Sequence, residues 1–142
     1  MSQPLLLNVD AAPSSYSAVS GQPRIWLRLE GLSAFGLALA VYARGGHSWL
    51  MFIVLFFIAD ATFLGYLAGP RIGAVCYNFA HTYVIPVAMG TLFYLLGMSI
   101  AIPLIWVAHI GFDRSLGYGL KYPTGFDSTH LGQLGHRSES RG

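Results

Sequence analysis

Charge is what this chain has least of. Only 10% of its 142 residues are charged, 54% are hydrophobic, and the mean hydropathy is +0.55. A soluble domain of this length needs more charge than that to cover its surface, so the composition excludes an ordinary soluble fold. Cysteine is also scarce. The single Cys76 rules out an internal disulfide, and its place in an apolar run marks a small packing residue. A net charge of +2 with no basic stripe and no interleaved aromatics excludes nucleic acid as a partner. The motifs GxSxG, HExxH, CxxC and the phosphate-cradling P-loop are all missing. Leu5, Leu6 and Leu7 make too short an apolar core for a secretory signal, and no basic residue precedes them.

Long apolar runs are abundant. Residues 1–23 are rich in Ser, Pro, Ala and Gly and read as a flexible N-terminal tail. Residues 24–120 hold four spans: Trp26 to Tyr42, Ser48 to Leu67, Ile72 to about Leu96, and Ser99 to about Leu120. Each has roughly 17 to 25 residues, enough to cross a bilayer core. The Ala43–His47 segment is a glycine turn, Gly69-Pro70 ends the second span, and Gly97 marks a third turn. Pro86 is expected to kink the third span, and Pro103 sits in the first turns of the fourth, where proline costs little. In the C-terminal segment 121–142, Lys121 to Asp127 mixes aromatic and turn residues and reads as an ordered loop folding back on the bundle. From Gly135 onward the chain reads as a frayed tail.

Short connections make successive spans antiparallel. The predicted fold is therefore all-α, a polytopic membrane protein with four transmembrane helices in an antiparallel bundle. Arg24, Arg28, Arg71, Arg114, Lys121, Arg137 and Arg141 fall on the side of the termini, and only Arg44 on the other. That bias places both termini in the cytoplasm and the protein in a bacterial inner membrane. Trp26, Tyr42, Trp49, Tyr66 and Tyr118 lie near span ends, as interfacial aromatics do.

Five polar side chains interrupt the apolar runs: Glu30, Asp60, His81, His109 and Asp113. Ionisable groups inside a membrane are costly and usually face a bundle interior, a cavity or a partner. At about 1.5 Å per residue, their depths below the side of the termini are roughly 6 to 16 Å. All five therefore fall in one layer, on the cytoplasmic half. Singly, each has a bland reading: the i, i+4 pair His109 and Asp113 is a helix-stabilising hydrogen bond, and His81 beside Tyr77 and Asn78 is a packed histidine. As a set, three carboxylates and two histidines match the inventory with which four-helix bundles hold metals, and suit Zn²⁺, Mn²⁺ or Fe²⁺. The Glu-x-x-His spacing of soluble di-iron bundles is absent, because His109 and Asp113 run in the reverse order. The five are candidate metal ligands and catalytic acids or bases. Arg114, Lys121, Tyr77 and Asn78 are candidate substrate-binding residues, the two cations for an anionic headgroup.

Several runs occur in an order that resembles a known family. They are Arg28-Leu29-Glu30-Gly31, Gly65 to Arg71, Tyr77-Asn78-Phe79-Ala80-His81-Thr82-Tyr83, His109-Ile110-Gly111-Phe112-Asp113-Arg114 and Gly117 to Phe126. Together, across about Arg24 to Leu134, the chain resembles a small bacterial integral-membrane family known as a domain of unknown function. The resemblance implies four membrane spans and carries no activity with it.

Three function classes remain. The first is a metal-dependent enzyme acting on a lipid or other membrane-dissolved substrate. The second is a proton or ion relay or binding protein, and the third a structural subunit of a membrane complex. The bilayer is the expected partner, with a second copy or a complex partner beside it. The outer half of the spans offers few ionisable stations, which counts against a full transmembrane relay.

Overall fold

A computed structural model describes residues 17–134. The tail reading for residues 1–16 and for the stretch from Gly135 lies outside the described residues. The described chain is helical apart from a short hairpin. Helix α1 spans Gly21–Arg44, α2 Trp49–Ile58, α3 Pro70–Ala80, α4 Val84–Leu95 and α5 Ala101–Leu116. A 3₁₀ helix, Ala59–Ala68, continues α2, and strands β1 (Ser128–Thr129) and β2 (Gly132–Gln133) pair antiparallel. Three helical stretches are long and apolar enough to cross a membrane: Gly21–Arg44, Trp49–Ala68 and Pro70–Leu95.

The turns form where the glycines are. Gly46, Gly69, Gly97 and Gly117 all adopt positive φ, a region that costs glycine no Cβ clash. Pro70 follows Gly69 as the first residue of α3, a position where its missing N–H is not needed. Helix α1 starts earlier than the sequence suggests, at Gly21, because Pro23 is accepted within a first turn.

The fourth apolar run departs most from expectation. Helix α5 has 16 residues and stops at Leu116 rather than near Leu120. Gly117 closes it: Gly117 N–H bonds Arg114 O at 3.0 Å and Tyr118 N–H bonds Asp113 O at 2.9 Å, a Schellman end. Helix α5 is also the most enclosed element, with Ala101, Ile105, Ala108, His109, Ile110, Gly111 and Arg114 among its buried residues. Helix α1 lies along it through the stripe Gly31, Ala38 and Tyr42, spaced for one helical face. The approach is close because both helices present glycine: a Cβ on Gly111 would meet Phe35 N at 2.6 Å and Gly31 O at 2.7 Å.

Tyr42, near the end of α1, turns inward. It is fully buried, packs against Trp49 and Phe52, and donates its hydroxyl to Ser48 O at 2.6 Å. With Ala38, Phe52, Phe56, Ala101, Ile105 and Ala108 it forms the apolar core. Outward-facing positions are apolar as well: Leu50, Leu67, Phe79 and Leu95 are among many large hydrophobics left exposed. A surface of that kind suits lipid and not water.

The third span does not kink at Pro86 but breaks a few residues earlier, at His81–Tyr83. Proline lacks an N–H and crowds the carbonyl of the residue four positions before it, here Thr82. The carbonyls freed by the break find other donors. Trp106 Nε1 donates to Ala80 O at 2.6 Å, and Arg114 Nη2 donates to His81 O at 2.8 Å. Irregular backbone at membrane depth is tolerated when protein groups satisfy it in this way.

The Lys121–Asp127 segment folds back on the bundle, as its composition suggests. Asn78 clamps it at both polar atoms: Nδ2 donates to Lys121 O at 2.8 Å, and Oδ1 accepts from Lys121 N–H at 2.7 Å.

Candidate metal centre

Three separate stretches of the chain bring Asp60, His81, His109 and Asp113 together. Asp60 stands in the first turn of the 3₁₀ helix, His81 at the break after α3, and His109 and Asp113 on one face of α5. One ligand atom from each lies within 4.8 Å of the others. His81 Nε2 is 3.1 Å from His109 Nε2, 3.4 Å from Asp113 Oδ2 and 3.8 Å from Asp60 Oδ1. His109 Nε2 is 3.6 Å from Asp60 Oδ1 and 3.7 Å from Asp113 Oδ2. Ligands of a tetrahedral Zn²⁺ ion, at about 2.0 to 2.1 Å from the metal, stand roughly 3.3 Å apart. Five of the six distances are therefore close to what one small ion needs, and the sixth, between the Asp60 and Asp113 oxygens, is within 4.8 Å.

The tautomer of His81 is fixed by its neighbour. Its Nδ1 lies 2.9 Å from Tyr77 O, a carbonyl that can only accept, so Nδ1 carries the proton and Nε2 presents a lone pair. A backbone carbonyl behind the far nitrogen is the usual support of a metal-ligating histidine. The Tyr77 ring stacks on the His81 imidazole at 3.7 Å between centroids, and Phe56 meets His109 edge-on at 5.0 Å. Both imidazoles are thus held in place by neighbouring rings. His109 Nδ1 is buried without a hydrogen-bond partner among the described residues, so the support is complete for one histidine only.

Access to the centre is one-sided. His81 and His109 are buried and the Asp113 side chain is 16% exposed, whereas Asp60 is 38% exposed. Asp60 is the ligand an incoming molecule would reach first.

Glu30 is not one of the converging residues. It is exposed and lines a separate cavity with Thr82, Tyr83, Arg114 and His130. Its place on α1 does not take it to the other four. The four candidate substrate-binding residues lie beside the centre and are all engaged. Arg114 donates to His81 O and, at 2.7 Å, to Tyr118 O, which ties the break in the third span to the end of α5. Tyr77 OH reaches Asp113 Oδ2 at 3.4 Å, near the limit of a hydrogen bond. Asn78 is spent on the Lys121 backbone.

Lys121 is buried in a cage of rings. Its Nζ stands 3.3 Å from the Phe126 ring centroid, 4.9 Å from Tyr77, 5.1 Å from Phe63 and 5.7 Å from Tyr66, and it donates to Phe126 O at 2.8 Å. The ring faces favour the cation, but burial outweighs them and lowers the Lys121 pKa to about 8, with Asp127 and then Asp113 pulling upward. Burial first and the Arg114 charge second push His130 below the ordinary histidine value. Its Nδ1 accepts from Leu120 N–H at 2.8 Å.

Trp106 has no place in the sequence reading, yet it braces the break at Ala80. Its i, i+3 spacing to His109 is the signal that could have drawn it in. Phe63 is equally silent, because nothing in an apolar run says which ring will meet a lysine.

No curated protein and no solved structure matches the chain. A family model described as a domain of unknown function, DUF4260, matches residues 24–134, which contain all of these side chains, and the chain belongs to that family.

Proposed function

We propose that the protein is a four-span inner-membrane protein, with both termini cytoplasmic, that binds one divalent metal ion through Asp60, His81, His109 and Asp113 and uses it on a lipid or other membrane-dissolved substrate. The observation that carries this reading is the convergence of two Nε2 atoms and two carboxylate oxygens from distant parts of the chain, with each nitrogen 3.1 to 3.8 Å from the other nitrogen and from both oxygens. Two imidazoles and two carboxylates at tetrahedral spacing suit Zn²⁺ best among the candidate ions, with Mn²⁺ and Fe²⁺ favouring more ligands. An ion held there supplies Lewis-acid polarisation of a substrate oxygen. Asp60, the most exposed of the four at 38%, would be the residue to take a proton from the substrate. Tyr77 and Arg114 hold His81 from either side, and the aromatic packing keeps water from the histidines.

One observation favours a second reading, a metal-free polar lock between the third span and α5. With Nδ1 of His81 protonated, His109 Nε2–H can donate to His81 Nε2 at 3.1 Å, which leaves His109 Nδ1 as a bare acceptor rather than a stranded donor.

Metal analysis decides between them. Detergent-purified full-length protein is expected to carry about one equivalent of metal, and a His81→Ala/His109→Ala variant none. Folded wild-type protein that stays metal-free after supplementation with Zn²⁺, Mn²⁺ and Fe²⁺ would sink the metal reading and leave the lock.

A further inference from the structure

An apolar cleft of about 340 Å³ is lined by residues within a turn of three of the four ligands, Asp60, His81 and His109. Its volume falls within the range of small-ligand sites, roughly 300 to 1,000 Å³. Leu55, Ile58 and Ala59 form one wall, Ala80 another, and Ile105 and Trp106 of α5 the floor. Each wall reaches a ligand within about a turn. Ala59 precedes Asp60, Ala80 precedes His81, and Ile105 stands four residues before His109 on the same face, about 6 Å away along the helix. The Trp106 indole is pinned by its 2.6 Å bond to Ala80 O, so that side of the cleft is fixed. Thr62 brings the cleft a hydroxyl, and it is spent on Ala59 O at 2.8 Å. A polar ligand gains little here, whereas a hydrocarbon gains much.

The order of cleft and centre is the informative feature. Helix α5 runs toward the end of the bundle where the Lys121 segment lies, and Ile105 and Trp106 come before His109, so along this helix the cleft extends inward from the level of the centre. In the second span Leu55 and Ile58 likewise precede Asp60, and the 3₁₀ helix ends beside Phe126, which meets Tyr66 at 5.2 Å, whereas Thr62, Phe79 and Ala80 stand level with the centre, within a turn of Asp60 or His81. Membrane amphiphiles are arranged likewise, with the polar group near the surface and the chain toward the midplane. The cleft walls also continue into the exposed apolar positions Ile58 and Phe79, which face the surface where lipid chains would lie.

We infer that this cleft takes the hydrocarbon chain of a bilayer amphiphile, which enters sideways past Asp60 and presents its polar head to the Asp60–His81–His109–Asp113 centre. The inference rests on the metal reading and names its substrate class: a long-chain lipid with an oxygen-bearing head, drawn from the membrane and not from water.

The test uses full-length protein in nanodiscs, loaded with Co²⁺ as a visible stand-in for Zn²⁺. Trp26→Phe and Trp49→Phe leave Trp106 as the one fluorescent indole. The probe is a long-chain hydroxamic acid brominated in mid-chain. Its head should shift the cobalt band while its bromines quench Trp106, both with one binding curve. Filling the cleft with Ala59→Phe should weaken the long-chain probe roughly tenfold, the worth of about two buried methylenes, and leave acetohydroxamic acid unchanged. If no cobalt band forms in the wild type, the metal reading fails and this inference falls with it. If the band forms and shifts but Trp106 quenching does not saturate with the cobalt shift, rising only in proportion to the probe's content in the bilayer, the cleft inference is overturned and the metal reading stands. An Ala59→Phe variant that binds both hydroxamic acids as the wild type does would overturn the cleft inference in the same way.

Discussion

The Nε2 atoms of His81 and His109 face each other at 3.1 Å across 28 residues of chain, and the proton that would separate their roles is already placed on His81 Nδ1 by Tyr77 O. Two bare imidazole nitrogens at that distance repel unless a proton or a cation lies between them. Asp60 and Asp113 then add two oxygens to the same small space.

Metal should therefore stabilise the fold. An ion that binds only the folded state contributes RT ln(1 + [L]/Kd), about 2.7 kcal/mol at a hundredfold excess over Kd. Thermal unfolding in detergent is expected to shift upward with added Zn²⁺ and downward with chelator. The His81→Ala/His109→Ala variant should show neither shift.

Glu30→Gln should leave metal stoichiometry and affinity as they are, since Glu30 lines a different cavity. Asp60→Asn, by contrast, should weaken binding by at least tenfold. Isothermal titration of both variants checks this, and an equal loss in the two would place Glu30 at the centre after all.

Tyr77→Phe separates the backbone of Tyr77 from its hydroxyl. The carbonyl that fixes the His81 tautomer remains, and only a 3.4 Å contact to Asp113 is lost. Metal affinity should change less than about threefold, and stability by under about 1 kcal/mol. A large loss in titration would mean that the hydroxyl itself organises the site.

Gly111→Ala should do more damage than its size suggests. The new Cβ would fall 2.6 Å from Phe35 N and 2.7 Å from Gly31 O, so α1 must move off α5. Overpacking of this kind costs about 1 to 3 kcal/mol, and it displaces the helix that carries His109 and Asp113. Melting temperature and metal affinity should fall together.

Lys121 gives the pH dependence. Its pKa falls from 10.5 to about 8 on folding, so below pH 8 both states are protonated and the fold bears the buried cation. Between about 8 and 10.5 the folded state has released the proton while the unfolded state still holds it, so stability rises with pH across that window. The groups facing Nζ are the Tyr66 and Tyr77 rings, with Asp127 and Asp113 the nearby carboxylates. Lys121→Met should flatten the rise in a series of melts from pH 7 to 10.

The helical class, the positions of the glycine turns and the shared level of Asp60, His81, His109 and Asp113 are legible in the chain of residues alone. Each follows from a local rule: hydropathy over a window, glycine at positive φ, and rise per residue. The fold-back of the Lys121 segment is legible too, because aromatic and turn residues together announce an ordered loop. Which polar residues meet is a matter of packing. Depth is one coordinate, and the angle about the helix axis is another, so a residue such as Glu30 can be expected in the same layer as Asp60, His81, His109 and Asp113 and still not meet them. The break that presents His81 was also beyond the sequence. Pro86 predicts a disturbance, yet its place depends on Trp106 and Arg114 arriving from α5 to satisfy the carbonyls of Ala80 and His81. The short, enclosed α5 belongs with these: its apolar run reads like the other three, and only packing against α1 makes it the centre on which the site is built.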